Sequence, residues 1–257
     1  MAAQDEEIVA EVFKPAIEAG QLETSMTLGF IDLTGTLMSA EQILYKVTDE
    51  AVWWGDVEMR GESAFNPILR LNYNLTSWFA LEGVFNVSVS EYMAEITNRF
   101  RRAQEDEAPI EPDPPLGEFD PEHRSVITLG LGAHGVLYPF NFDDGEGRFH
   151  PFLMAGMDRM WFNLNTDYTD ESSIDWNYQA GASIRFIADD LISVRFQVAY
   201  QTTKVQFTPS ETWVEFNEGT IQVPVYEVVD GVLSLKEEFE SQTISSLSWG
   251  IGFQANF

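Results

Sequence analysis

Large apolar residues take every second position in eight stretches of this chain, at roughly 21–34, 64–75, 79–92, 125–138, 149–163, 175–186, 191–207 and 243–257. A period of two puts the two sets on opposite faces of a β-strand. In the third stretch Phe79, Leu81, Phe85, Val87 and Val89 oppose Glu82, Asn86, Ser88 and Ser90. In the seventh, Ile192, Val194, Phe196, Val198 and Tyr200 oppose Ser193, Arg195, Gln197 and Gln201. In the last, Leu247, Trp249, Ile251, Phe253, Ala255 and Phe257 oppose Ser248, Gly250, Gly252, Gln254 and Asn256. That greasy face needs either lipid or a core.

The connections alternate too. Those after the second, fourth and sixth stretches are short, as in Thr76-Ser77-Trp78 and Ala188-Asp189-Asp190, while most of the others are longer and polar. Short turns on one side and long loops on the other, with an apolar face and a small or polar one, predict an eight-stranded antiparallel up-and-down transmembrane β-barrel. Both termini then fall on the short-turn, periplasmic side. A soluble sandwich or lipocalin-like barrel also alternates. Its outward face would be charged, whereas here the non-greasy face is mostly Gly, Ser, Asn and Gln. Aromatics at strand ends (Trp78, Tyr92, Tyr138, Phe140, Trp161, Phe186) also suit membrane interfaces.

The segment Pro151-Phe152-Leu153-Met154-Ala155-Gly156-Met157, together with Gly250-Ile251-Gly252-Phe253 and the final Phe257, resembles the small outer-membrane barrels of the OmpA/OmpX/OmpW kind, a likeness running over nearly all of 21–257. The resemblance implies a bacterial outer-membrane protein. It also implies an assembly signal in Trp249, Ile251, Phe253 and Phe257, read by the barrel-assembly machinery during insertion. The expected organisation is a periplasmic N-terminal segment at 1–20 and a barrel at 21–257. Long acidic loops depart from the compact OmpX pattern.

Composition narrows the function. With 42 acids against 14 Lys and Arg, a net charge of −28, nucleic acid is excluded as a partner. No apolar run of about 18 residues is present, so no helix is expected to span a membrane. Zero cysteines suit passage through an oxidising periplasm. The opening Met1-Ala2-Ala3-Gln4-Asp5-Glu6-Glu7 has neither a basic nor an apolar leader region, so a mature chain with an added Met is expected. Residues 6–14 have apolar spacing near that of a helix and could cover the periplasmic mouth.

If the greasy face points outward, Glu23, Arg70, Glu82, Asp158, Arg185 and Arg195 point into the lumen, three acids against three arginines. An eight-stranded barrel is barely wider than its own side chains. Those charges are therefore expected to pair and plug it. The expected function is a non-enzymatic structural and surface-display barrel. The alternative is an OmpW-like channel for small apolar molecules, with Trp53, Trp54, Phe152 and Phe162 at its mouth. Arg159 faces outward near Trp161, placing this pair as a lipopolysaccharide contact. No catalytic, cofactor or metal site is predicted. His134 and His150 fall on the lumen side, and acidic loop residues such as Asp167, Asp170 and Glu171 lack metal-ligand spacing. Outer-membrane lipid is the expected partner, and any extracellular or periplasmic protein partner stays open.

In the loops, Ala40–Val47 could form a short helix, 93–124 reads as a charged, Pro-rich loop, and Asp230-Gly231 reads as a hairpin turn.

Overall fold

The computed structural model describes residues 13–47, 51–103, 109–110, 122–166, 169, 172–216 and 219–256. Its strands in the first half are β1 (Leu22–Asp32), β2 (Thr36–Val47), β3 (Ala51–Gly61), β4 (Ser63–Phe65), β5 (Ile68–Asn74), β6 (Phe79–Ala103) and β7 (Pro109–Ile110). The second half holds β8 (Glu122–Leu137), β9 (Phe149–Leu164), β10 (Ser172–Ile187), β11 (Ile192–Val205), β12 (Glu211–Phe216), β13 (Gly219–Pro224), β14 (Tyr226–Val229), β15 (Val232–Leu235) and β16 (Gln242–Asn256). Eight of these strands form a ring. β5 pairs with β1 and β6, the order continues through β8, β9, β10, β11 and β16, and β16 returns to β1, all antiparallel. β4 continues β5 beyond Pro67 along the same face of β1. Closure matters because an open edge in lipid would strand backbone donors and acceptors.

The register fixes the size of the ring. Starting at Leu22, successive partners are Tyr73, Leu81, Gly135, Ala155, Ala180, Tyr200 and Leu247. Leu247 lies one place beyond the Ile31–Ser248 pair, opposite Asp32. One circuit therefore climbs ten residues along β1. At about 3.3 Å per residue and about 4.8 Å between eight strands, the tilt is near 40° and the backbone radius about 8 Å. Side chains alone can fill such a tube.

Alternation sorts the residues as the pattern requires. Leu28, Leu69, Phe85, Leu131, Leu153, Tyr178, Phe196 and Ile251 are exposed on the outside of the ring, while Thr27, Arg70, Glu82, His134, Asp158, Arg185, Arg195 and Gln254 are buried. Aromatics edge this outer belt. Trp78 meets Phe142 at 5.3 Å and Phe149 meets Phe186 at 4.9 Å on the short-turn side. Phe30 meets Trp249 at 5.3 Å and Phe65 at 5.8 Å on the other.

On the long-loop side the ring is extended. β6 runs past the ring to pair with β3, β3 pairs with β2, and β12–β13 and β14–β15 add to this sheet. Two expectations fail here. Ala40–Val47 is strand, and 93–103 is the end of β6 instead of loop. The β2–β3 register slips between Ala40 and Ile43 and again between Leu44 and Lys46, with Gln42 at a φ of 54°. Each slip resets the alternation, which leaves a helix-like spacing in a bulged strand. The Asp230-Gly231 turn forms as expected between β14 and β15, with φ of 51° and 77°. The other acidic stretches of the long loops, at 104–108 and 111–121, and residues 1–12 lie outside the described residues.

Candidate functional site: the lumen

Glu23 on β1 is the most completely bonded group in the lumen. Arg185 of β10 donates to both of its oxygens, at 3.0 and 2.8 Å. Asn72 donates at 2.6 Å and Asn74 at 3.0 Å from β5, and Gln254 donates from β16. Arg185 also reaches Ser193 Oγ at 3.1 Å. The pair thus ties strands from opposite walls of the ring together. A two-pronged guanidinium–carboxylate pair with further donors is the arrangement in which a buried charge is tolerable.

A second group lies toward the middle. Arg195 donates to Glu82 Oε1, and the Arg70 guanidinium sits 3.6 Å from Glu82 Oε2 and donates to Thr27 Oγ1 at 2.6 Å. Arg195 also stacks over Phe152, 4.8 Å from its centroid. The close fit has a requirement on β16, because a Cβ at Gly252 would lie 2.9 Å from Arg195 Cγ and 2.5 Å from Thr27 Oγ1.

A third group was not apparent from the order of residues. His134 Nε2 lies 3.1 Å from Asp158 Oδ1, and Asn177 donates to Asp158 Oδ2 and to Gln201 Oε1, each at 3.3 Å. Gly132 makes room for it, since a Cβ there would lie 2.2 Å from Asp158 Oδ1. Arg70 Nη2, His134 Nδ1 and Asn177 Oδ1 have no hydrogen-bond partner in the protein, so these groups are less completely bonded than Glu23.

Apolar packing flanks the charges. At the short-turn end Ile17, Val136, Tyr138, Phe152, Met154 and Ile187 form a buried cluster. Ile17 enters it from the segment before β1, which is fastened by Ile17 N–H to Gly145 O at 2.9 Å and Gly147 N–H to Pro15 O at 2.8 Å. Toward the long-loop end the interior becomes a larger core that includes Leu37, Tyr92, Met160, Phe162, Phe207 and Phe239. Phe162 therefore belongs to a packed core, and Trp53 to a separate small cluster with Tyr45 and Ala51.

The remaining singled-out residues lie outside the lumen. Trp249, Ile251 and Phe253 face outward and are 48%, 48% and 61% exposed, and Phe257 lies outside the described residues. Arg159 faces outward on β9, as does Trp161 two residues on, and its guanidinium carbon lies 5.4 Å from the ring centroid of Trp176 of β10. Among the described residues no cluster of three or more His, Cys, Asp or Glu could hold a metal ion.

No family model matches the sequence, and no curated protein matches it. Among solved structures, the chain is similar to the outer membrane protein OprG from Pseudomonas aeruginosa at 11% identity, with a TM-score of 0.54, over 94% of this chain and 98% of that one. An outer membrane channel from Pseudomonas putida F1 aligns over 98% of this chain and 100% of its own at 15% identity, but its TM-score of 0.22 carries no argument. The first likeness, with the eight-strand ring and its apolar belt, makes the fold that of a small outer-membrane β-barrel.

Proposed function

We propose that this chain is an integral outer-membrane barrel with a structural and surface-display role, its lumen held shut by buried ion pairs. The observation that carries this reading is the burial of all six lumen charges. Glu23, Asp158 and Arg185 are 0% exposed, Arg195 2%, Glu82 3% and Arg70 4%. A tube about 8 Å in backbone radius has no space for a water-filled path beside such groups. An apolar solute travelling along the axis would have to break pairs whose separation leaves charges uncompensated. That argument disfavours the channel for small apolar molecules. The extended sheet of β2, β3 and β12 to β15 would then carry the acidic loops away from the membrane. The reading is also non-enzymatic, because the His134–Asp158 pair is enclosed in the lumen with Asn177, away from any lipid-facing hydroxyl.

Planar-bilayer recording tests it. The purified full chain should give no steady open-pore current. The double variant Arg70→Ala with Glu82→Ala should leak, because it removes the centre of the second group and leaves Arg195 without its carboxylate. A well-resolved, steady wild-type conductance would overturn the sealed reading.

A further inference from the structure

Two cations face outward on one row of the ring. Arg159 pairs in register with Trp176, and Lys204 with Thr243. Trp176 lies one place beyond the Asn177–Thr203 pair, so it stands opposite Lys204. The row therefore reads Arg159, Trp176, Lys204, Thr243 across β9, β10, β11 and β16. Arg159 is held against the Trp176 ring at 5.4 Å, and among the described residues Lys204 makes no ion pair. A groove of about 450 Å³ runs beside them, lined by Trp176, Tyr178, Thr202, Lys204, Thr243 and Asp175, whose carboxylate is engaged by the backbone N–H of Trp176 at 2.6 Å.

The height of the row points to its occupant. Phe149, in the short-turn aromatic girdle, lies ten residues below Arg159 on β9. At about 3.3 Å per residue and a tilt near 40°, ten residues span about 25 Å, the usual height of the apolar band of such barrels. Arg159 thus stands where the outer headgroups begin, and the climb of the ring lifts Trp176 about 3 Å and Lys204 about 6 Å above it, into the headgroup layer. A chain with 42 acids and 14 bases has carboxylates to spare. Yet among the described residues neither Arg159 nor Lys204 forms an ion pair.

We propose that Arg159 and Lys204, on either side of Trp176, bind the phosphate of an anionic glycolipid in the outer leaflet. The two side chains supply charge-assisted donors, the threonine hydroxyls of Thr202 and Thr243 supply neutral ones, and the Trp176 ring packs against the lipid's apolar portion. The assignment rests on the outer-membrane reading above.

The test uses full-length protein in nanodiscs containing phosphorylated or dephosphorylated lipid A, with lipid retained after purification measured by native mass spectrometry. Wild type should prefer the phosphorylated lipid by about tenfold or more, as the loss of two charge-assisted contacts implies. Arg159→Gln with Lys204→Gln should abolish the preference, and Lys204→Arg should keep it. An unchanged preference in the double variant would overturn the site. Equal protection of the row by inorganic phosphate in a neutral-lipid nanodisc would overturn the lipid assignment. Failure of wild type to enter nanodiscs at all would instead count against the outer-membrane reading.

Discussion

Arg185→Ala should destabilise the barrel by about 3–5 kcal/mol, the usual consequence of leaving a buried charge without its partner. The substitution takes both guanidinium contacts from Glu23 and leaves its carboxylate fully enclosed, with only Asn72, Asn74 and Gln254 as donors. Those amides satisfy lone pairs but not the charge. Replacing both members, Glu23→Gln with Arg185→Met, should recover most of the loss, because removing a buried pair together is far milder than breaking it. Urea unfolding in lipid vesicles, followed by tryptophan fluorescence, measures both. Equal losses for the single and double variants would show that the pair acts through packing alone.

The second large effect is expected on the opposite face of the same sheet. Ile251 is exposed midway along β16, between Leu28 of β1 and Phe196 of β11. An arginine there would meet hydrocarbon and cost about 2–4 kcal/mol. The loss should shrink for an arginine at Leu247, nearer the headgroups, where the side chain can reach water. The same vesicle unfolding assay reads this gradient. A soluble protein with Ile251 at a protein–protein surface would show no dependence on depth.

The ring was readable from the sequence because each of its strands keeps one phase of alternation from end to end. β16 illustrates this, since Ser246, Ser248, Gly250, Gly252 and Gln254 face inward while Leu247, Trp249, Ile251 and Phe253 face outward. The β2–β3 hairpin was not readable for the opposite reason. Its register slips at Ala40/Ile43 and Leu44/Lys46, and a single extra residue exchanges the two faces. The end of β6 escaped because its outward residues there, Glu95 and Thr97, are polar although Ala94 and Ile96 still pack inward, and its phase breaks at Asn98, with a φ of 46° beside the β3–β6 register slip at Trp54/Asp56.

The lumen divides along similar lines. Parity alone places Glu23, Arg70, Glu82, Asp158, Arg185 and Arg195 inside. It does not give heights, and partners are a matter of height. The ten-residue climb brings Arg185 near the end of β10 beside Glu23 near the start of β1, although 162 residues separate them. His134 and Asp158 are offset by two places in the β8–β9 register, since His134 pairs with Gly156, and they meet because neighbouring glycines at 132 and 156 open the wall between them. The Arg159–Trp176 contact depends likewise on the β9–β10 register, which a strand read in isolation does not contain.

If the chain is a membrane barrel, one face of every ring strand lies in lipid while the other fills a closed lumen. The chain has no cysteine, so single cysteines can be placed at each position from 247 to 253 on β16 and spin-labelled without a background. In reconstituted vesicles, oxygen accessibility should oscillate with a period of two, high at 247, 249, 251 and 253 and low at 248, 250 and 252, with the maxima greatest near 251. Uniformly low accessibility to oxygen at all seven positions, or high accessibility to a water-soluble relaxation agent at 249 and 251, would contradict the membrane-spanning barrel.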